Sequence, residues 1–119
     1  MLSRIVIRDT SLKQEIRIER AIGSAALEAR VRRLGAMSVS RFDDRVRDLR
    51  CVLERVPGEG SAVRLTLTAE LAPPHPVHSF TLQGADLERL LAQAFARLQR
   101  ELRRTLSAPL GGVSLRGRS

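Results

Sequence analysis

Strict alternation of apolar and polar side chains over residues 63–70, VRLTLTAE, is the feature that most constrains the fold of this chain. A period of two places one set of side chains on a buried face and the other in water, as in a strand of a sheet covered on one side. The same period runs over residues 45–54. The turn-forming segment Pro57-Gly58-Glu59-Gly60 separates the two runs, so together they predict an antiparallel hairpin.

Three other segments bear on the sheet. Residues 15–19, EIRIE, alternate in the same way and predict its first strand. Residues 77–83 follow the segment 72–76, whose three prolines cannot donate ladder hydrogen bonds, and predict the last strand of a meander that ends at Gly84. Residues 4–8, RIVIR, fit either an additional short strand or an ordered arm.

Two helices complete the pattern. Ser24 is a candidate N-cap for a short amphipathic helix with apolar residues at 27, 31 and 34, which we expect to end at Gly35. A longer helix follows the candidate N-cap Asp86 and continues to about Ser107 without glycine or proline. The order β-α-β-β-β-α predicts an α+β fold, a four-stranded sheet with two roughly parallel helices packed on one face.

The length of 119 residues allows one domain with a modest core. We divide the chain into an N-terminal extension at 1–13, a domain at 14–107 and a flexible basic tail at 108–119. The apolar runs are too short for a membrane span and the first residues lack the apolar stretch of a secretory signal, so we expect a cytoplasmic protein. A single cysteine forms neither an internal disulfide nor a cysteine zinc site, and Cys51 is expected in the core.

Positive charge is concentrated in the last part of the chain. The net charge is +8, and Lys13 is the only lysine. Residues 41–84 hold six arginines and six acids, whereas residues 97–119 hold six arginines and one acid, Glu101. Arginine contacts phosphate in bidentate geometry, which favours an anionic partner such as nucleic acid, although a GC-rich coding sequence would also favour arginine over lysine.

On a helical wheel at about 100° per residue, the final helix separates into an apolar face and an arginine face that also carries Gln93. A helix selected only for solubility would mix both signs into i, i+4 pairs, so we predict that this face binds phosphate. Arginines of the first helix would extend it if the two helices pack side by side. The predicted RNA-binding residues are Arg30, Arg32, Arg33, Arg89, Arg97, Arg100, Arg103 and Arg104.

Catalytic and metal-binding patterns are weak. His75 and His78 lie three residues apart in a proline-rich stretch without cysteines or an acidic cluster, and we expect both to be exposed loop residues. Asp43 and Asp44 have arginines around them and predict a turn with local ion pairs. No serine lies in a nucleophile-elbow motif and no glycine-rich segment matches a phosphate loop. We therefore expect no enzyme, metal or cofactor.

Aromatic residues are scarce: the chain has three phenylalanines and neither tryptophan nor tyrosine. Two of the phenylalanines are expected in the core, which leaves no platform for stacking single-stranded bases. Cationic helices that contact the phosphates of structured RNA remain compatible with this composition.

Several segments resemble the ribosome hibernation promoting factor family, also called ribosome-associated inhibitor or sigma modulation proteins. EIRIE (15–19) followed by SAALEARVRRL (24–34) resembles the first strand and helix of that family. FDDRVRDLRCVLE (42–54) is similar to its second-strand entry, and DLERLLAQAFARLQRELRR (86–104) to its closing helix. The resemblance covers about residues 14–107. The chain departs from the family in its scarcity of lysine and in a proline- and histidine-rich segment where a glycine-rich turn is common.

The resemblance implies a non-enzymatic β-α-β-β-β-α domain that binds 16S rRNA of the 30S ribosomal subunit near the decoding centre. There it would overlap the mRNA and tRNA sites and hold the ribosome inactive during stress, with the basic residues of both helices as the contact surface. Longer family members carry a second, ribosome-pairing domain for which this sequence has no room. Two alternatives stay open: a divergent paralogue that acts as a protein-interaction regulatory module, and a general double-stranded RNA-binding domain.

Overall fold

The computed structural model describes residues 12–42 and 44–107. The predicted strand or arm at 4–8, Asp43 and the predicted basic tail lie outside these residues. The elements, in chain order, are β1 (Lys13–Ile18), α1 (Ala25–Val39), a 3₁₀ turn (Ser40–Phe42), β2 (Val46–Arg55), β3 (Val63–Leu71), β4 (His78–Gly84) and α2 (Leu87–Ser107). This order confirms the predicted β-α-β-β-β-α pattern.

The sheet is mixed, with the strands in the spatial order β1-β2-β3-β4. β1 and β2 are parallel, because α1 carries the chain back between them, and the other neighbours are antiparallel. β1, β2 and β4 therefore point the same way, and each helix returns in the opposite direction. The two helices consequently run roughly parallel to each other, as the sequence predicted.

One face of the sheet carries the core. The inward side chains of the central strands pair in register, with Cys51 opposite Leu67 and Leu53 opposite Leu65, and both helices pack their apolar faces on them. Cys51 is 2% exposed, which confirms its place in the core, and burial raises the pKa of its thiol to about 12. The sequence expected two core phenylalanines, whereas all three are buried: Phe42, Phe80 and Phe95.

The opposite face of the sheet is polar and balanced in charge. The Arg50 guanidinium lies between the carboxylates of Glu15 (3.3 Å) and Asp48 (3.9 Å). Arg64 lies 3.6 Å from Glu54, and the hydroxyls of Thr66 and Thr81 are hydrogen-bonded at 3.2 Å. Arg50 and Arg64 on this open face therefore have carboxylate partners, in keeping with the neutral composition of residues 41–84. The arginines that distinguish the chain lie on the helices instead.

Gly35 does not end α1, contrary to the sequence-based expectation. The helix continues to Val39, and Gly35 is buried. A Cβ atom at this position would lie 2.5 Å from Oε1 of Gln14 and 2.8 Å from Cδ2 of Leu49, so the missing side chain lets α1 approach β1 and β2 closely. The glycine is a packing residue and not a C-terminal signal.

The predicted N-caps differ in their chemistry. Asp86 Oδ1 accepts a hydrogen bond from the backbone N–H of Arg89 at 3.2 Å, which confirms it as the cap of α2. Ser24 precedes α1 in an extended conformation, but its side chain makes no capping hydrogen bond. Neither helix of the described chain combines the length and hydropathy that crossing a bilayer requires.

Candidate nucleic-acid interface

The two helices lie side by side and form one layer over the sheet. An ion pair between Arg30 of α1 and Glu88 of α2 joins their N-terminal halves. The sequence predicted that the arginines of both helices would form one surface if the helices pack side by side, and the helices do pack in this way. The individual arginines nevertheless differ in direction and in partners.

Four arginines of α2 form an exposed group that we call the outer arginine face. Burial of Leu90, Leu91, Leu98 and Leu102 against the sheet fixes the orientation of the helix and turns the opposite side to solvent. Among the residues that the structure describes, no carboxylate lies within 4.0 Å of these four guanidinium groups. The face consists of Arg89, Arg100, Arg103 and Arg104.

Arg97 belongs to the predicted set but differs from the outer arginine face. Its Nε donates a hydrogen bond of 2.9 Å to Oε2 of Glu101, one turn later in α2. The guanidinium carbon lies 4.3 Å from the ring centroid of Phe80, a cation–π distance. The sequence treated Arg97 as one of an almost unpaired group; the structure instead holds it between a carboxylate and an aromatic ring.

His78 lies next to Arg97 and Glu101, and the prediction that it is an exposed loop residue is wrong. It is the first residue of β4, with a side chain 21% exposed. Its Nε2 lies 3.0 Å from Oγ1 of Thr105, and its Nδ1 lies 3.5 Å from Oε1 of Glu101. The alternation of β4 places residues 78, 80 and 82 on one face, so the period-two signal already pointed His78 toward α2. His75 remains in the loop before β4.

The arginines of α1 point in separate directions, because residues two apart on a helix lie about 200° apart. Arg32 lies on the β1 side, where it pairs with Glu28 at 3.2 Å and its carbonyl accepts a hydrogen bond from Gln14. Arg30 faces α2 through its pair with Glu88. Arg33 is exposed and points between these two directions. Of the triplet Arg30, Arg32 and Arg33, it is the one whose guanidinium has no carboxylate partner among the described residues.

Arg45 is a supporting residue that the sequence did not single out for this surface. Its Nη1 donates a hydrogen bond of 2.8 Å to the carbonyl oxygen of Leu106, in the last turn of α2. A cation at a helix C-terminus satisfies an unpaired carbonyl and suits the helix dipole. Its guanidinium also lies 5.6 Å from the ring centroid of Phe42, and it pairs with Asp44 at 3.9 Å, the local ion pair predicted at this turn.

Within residues 12–42 and 44–107, no three His, Cys, Asp or Glu side chains come together in a group that could hold a metal ion. The chemistry available on the helical layer is that of exposed guanidinium groups carried by two packed helices. Such a surface can neutralise and hydrogen-bond phosphate oxygens.

Comparison with known proteins supports the fold. The chain is similar to the crystal structure of the N-terminal domain of Protein Y from Thermus thermophilus, with a TM-score of 0.63 and 21% sequence identity, over 77% of this chain and 97% of that one. No family model matches the chain, and no curated protein matches it in sequence. At 21% identity the likeness establishes the shared fold alone.

Proposed function

We propose that this protein is a cytoplasmic, non-enzymatic ribosome-binding factor that inhibits translation. In this proposal the helical layer contacts 16S rRNA of the small ribosomal subunit, and the bound domain occupies space that mRNA and tRNA need. Inhibition then follows from occupancy, without a chemical step.

The observation that carries the proposal is the contrast between the two sides of the domain. On the open face of the sheet, arginines such as Arg50 and Arg64 have carboxylates beside them. On α2, the outer arginine face presents four exposed guanidinium groups without a described carboxylate partner. Leaving like charges unpaired on one helix face disfavours the isolated protein, and a polyanion that neutralises them removes this cost.

The fold supports the choice of a ribosomal target over other polyanions. The resemblance of residues 14–107 to the ribosome hibernation family implied a β-α-β-β-β-α domain, and that domain is present. The N-terminal domain of Protein Y, a member of the family that the sequence resembles, shares the fold.

Recognition through phosphates fits the aromatic content of the chain. All three phenylalanines are buried and the chain has neither tyrosine nor tryptophan, so the described surface offers none of these three ring types on which a base could stack. Arginines held on a rigid helix can instead match the backbone geometry of folded RNA. This mode needs a target with a defined shape, which ribosomal RNA supplies.

Co-sedimentation with purified 30S subunits and 70S ribosomes, at low and at high salt, tests the proposal. We expect the protein to sediment with both particles at low salt and to be released as salt rises, because phosphate contacts release counterions. Arg100→Ala should weaken binding, whereas Arg64→Ala, a matched change on the open face of the sheet, should not. Absence from both particles at low salt would contradict the proposal.

A plain RNA duplex, compared with 30S subunits under the same conditions, separates the two alternative functions. Binding to a plain RNA duplex as tightly as to 30S subunits would indicate a general double-stranded RNA-binding domain. Absence from ribosomes and from RNA alike would favour a module that binds an acidic protein.

A further inference from the structure

The carboxylate of Glu101 lies between an arginine and a histidine at the edge of the arginine-rich side of α2. Oε2 accepts the hydrogen bond from Nε of Arg97 at 2.9 Å, and Oε1 lies 3.5 Å from Nδ1 of His78. The Glu101 side chain is 19% exposed, and the hydrogen bond from Arg97 holds its carboxylate in place. The Glu101 carboxylate therefore contacts two basic side chains, Arg97 and His78.

These basic groups differ in how their charge responds to pH. The arginine guanidinium is charged throughout the physiological range, whereas a histidine imidazole gains its charge between about pH 8 and pH 5. The hydrogen bond from Arg97 lowers the pKa of Glu101, so the carboxylate stays ionised over that interval. The three groups together carry no net charge when His78 is neutral and one positive charge when it is protonated.

The surroundings of His78 accommodate both protonation states. The Thr105 hydroxyl, 3.0 Å from Nε2, can donate to a neutral ring nitrogen or accept from a protonated one. The charged groups of α2 near His78 and Glu101 are Arg97, Arg104 and Glu101 itself. On β3 the register partner of His78 is Ala69, which is uncharged, and the neighbouring Glu70 side chain belongs to the open face. A protonated imidazole would thus have the Thr105 hydroxyl as an acceptor at Nε2 and the Glu101 carboxylate 3.5 Å from Nδ1 as a counter-charge.

The cluster is contiguous with the outer arginine face. Residues three and four apart are neighbours on a helix surface, so Arg97 and Glu101 lie beside Arg100 and Arg104. A change of one charge at this position is felt directly by a phosphate bound to those arginines.

We propose that His78 makes the helical layer acid-responsive: its protonation gives Glu101 a second cationic partner, releases Arg97 from full neutralisation and strengthens binding to phosphate. This inference rests on the proposed function, because it concerns the regulation of the same surface. It assigns Glu101 the role of a built-in acidic competitor for RNA phosphate.

Binding of 30S subunits at pH 5.8 and pH 7.8, at constant ionic strength, tests the inference with the variants His78→Gln and His75→Gln. The wild type should bind about two- to fivefold more tightly at the lower pH, the range that one solvent-accessible charge pair supplies. His75→Gln, the matched change in the loop, should keep this increase. His78→Gln should lose it.

Glu101→Gln provides a second arm that does not depend on the histidine variant. Removing the carboxylate should tighten binding at pH 7.8 by about two- to fivefold, because the acid no longer opposes the arginines. An undiminished acid response in His78→Gln, or weaker binding by Glu101→Gln, would overturn the inference while leaving ribosome binding intact. Failure of every protein to bind at either pH would instead overturn the proposed function, and the acid response with it.

Discussion

Nη1 of Arg45 donates a hydrogen bond of 2.8 Å to the carbonyl oxygen of Leu106, and so joins the start of β2 to the last turn of α2. The two residues are 61 positions apart in the sequence. The contact holds the C-terminal end of the helix at the point where Arg103 and Arg104 project from it. The orientation of the arginine face is therefore a tertiary property as well as a helical one.

Replacing Arg45 with alanine should destabilise the fold and loosen the last turn of α2. The lost hydrogen bond involves a charged donor, and since the side chain is partly exposed we expect a decrease of about 1 kcal/mol in the free energy of unfolding. Urea denaturation measures the decrease. Arg47→Ala, which removes an exposed arginine two residues later, should change stability by less than about 0.5 kcal/mol, and equal losses in the two variants would contradict this role for Arg45.

Replacing Gly35 with alanine should destabilise the protein, although alanine is the better helix former. The added Cβ would meet Oε1 of Gln14 at 2.5 Å and Cδ2 of the buried Leu49 at 2.8 Å. Overpacking of this kind costs about 1–3 kcal/mol, against a gain in helix propensity of at most about 1 kcal/mol. Thermal or chemical denaturation shows whether Gly35→Ala lowers or raises the free energy of unfolding. The reverse change at the exposed neighbour, Ala36→Gly, should cost about 0.5–1 kcal/mol. A stabilised Gly35→Ala variant would show that α1 does not approach β2 so closely.

The carboxylate of Glu101 should stabilise the fold only above the pH at which it ionises. Its pKa is lowered in the folded protein by the hydrogen bond from Arg97, so its contribution is complete above the unfolded value of about 4.3 and is lost as pH falls through the folded value. Glu101→Gln should therefore be less stable than the wild type by about 0.5 kcal/mol at pH 7. The difference should shrink below about pH 4; a difference that keeps growing below that pH would contradict the assignment.

The α1 arginines should contribute unequally to RNA binding. Arg33→Ala removes an exposed guanidinium without a described carboxylate partner and should weaken binding to 30S subunits by about two- to fivefold. Arg32→Ala removes a guanidinium that pairs with Glu28 on the β1 side and should change the affinity by less than about twofold. Fluorescence anisotropy with labelled protein compares the two, and an equal loss in both would show that Arg32 contacts RNA as strongly as Arg33 does.

The sequence predicted the order of the elements because the alternation of residues 63–70 and the uninterrupted helix after Asp86 are local signals. It misjudged the end of α1 because a glycine that permits close packing looks the same in a sequence as one that ends a helix. The side chains of Gln14 and Leu49, which lie against Gly35 in the folded chain, distinguish the two cases.

The arginine face was predictable from helical periodicity, whereas the partners of its members were not. The hydrogen bond between Arg97 and Glu101 has i, i+4 spacing and could have been inferred, but the ring of Phe80 and the imidazole of His78 come from another strand. The triplet at 30–33 was treated as one group because its residues are adjacent in the chain. A helix separates adjacent residues in direction, and the structure divides the triplet accordingly.

The salt dependence of binding to 30S subunits tests the central claim, that the outer arginine face contacts rRNA phosphates. The slope of the logarithm of the binding constant against the logarithm of the salt concentration is negative. For the double variant Arg100→Ala with Arg104→Ala, its magnitude should be smaller by about two, close to one per arginine. Arg17, on β1, pairs with Glu15 at 3.0 Å on the open face of the sheet, where Arg64 also lies. The matched double variant Arg17→Ala with Arg64→Ala should keep the wild-type slope. Equal slopes for the wild type and the Arg100/Arg104 variant would contradict the claim.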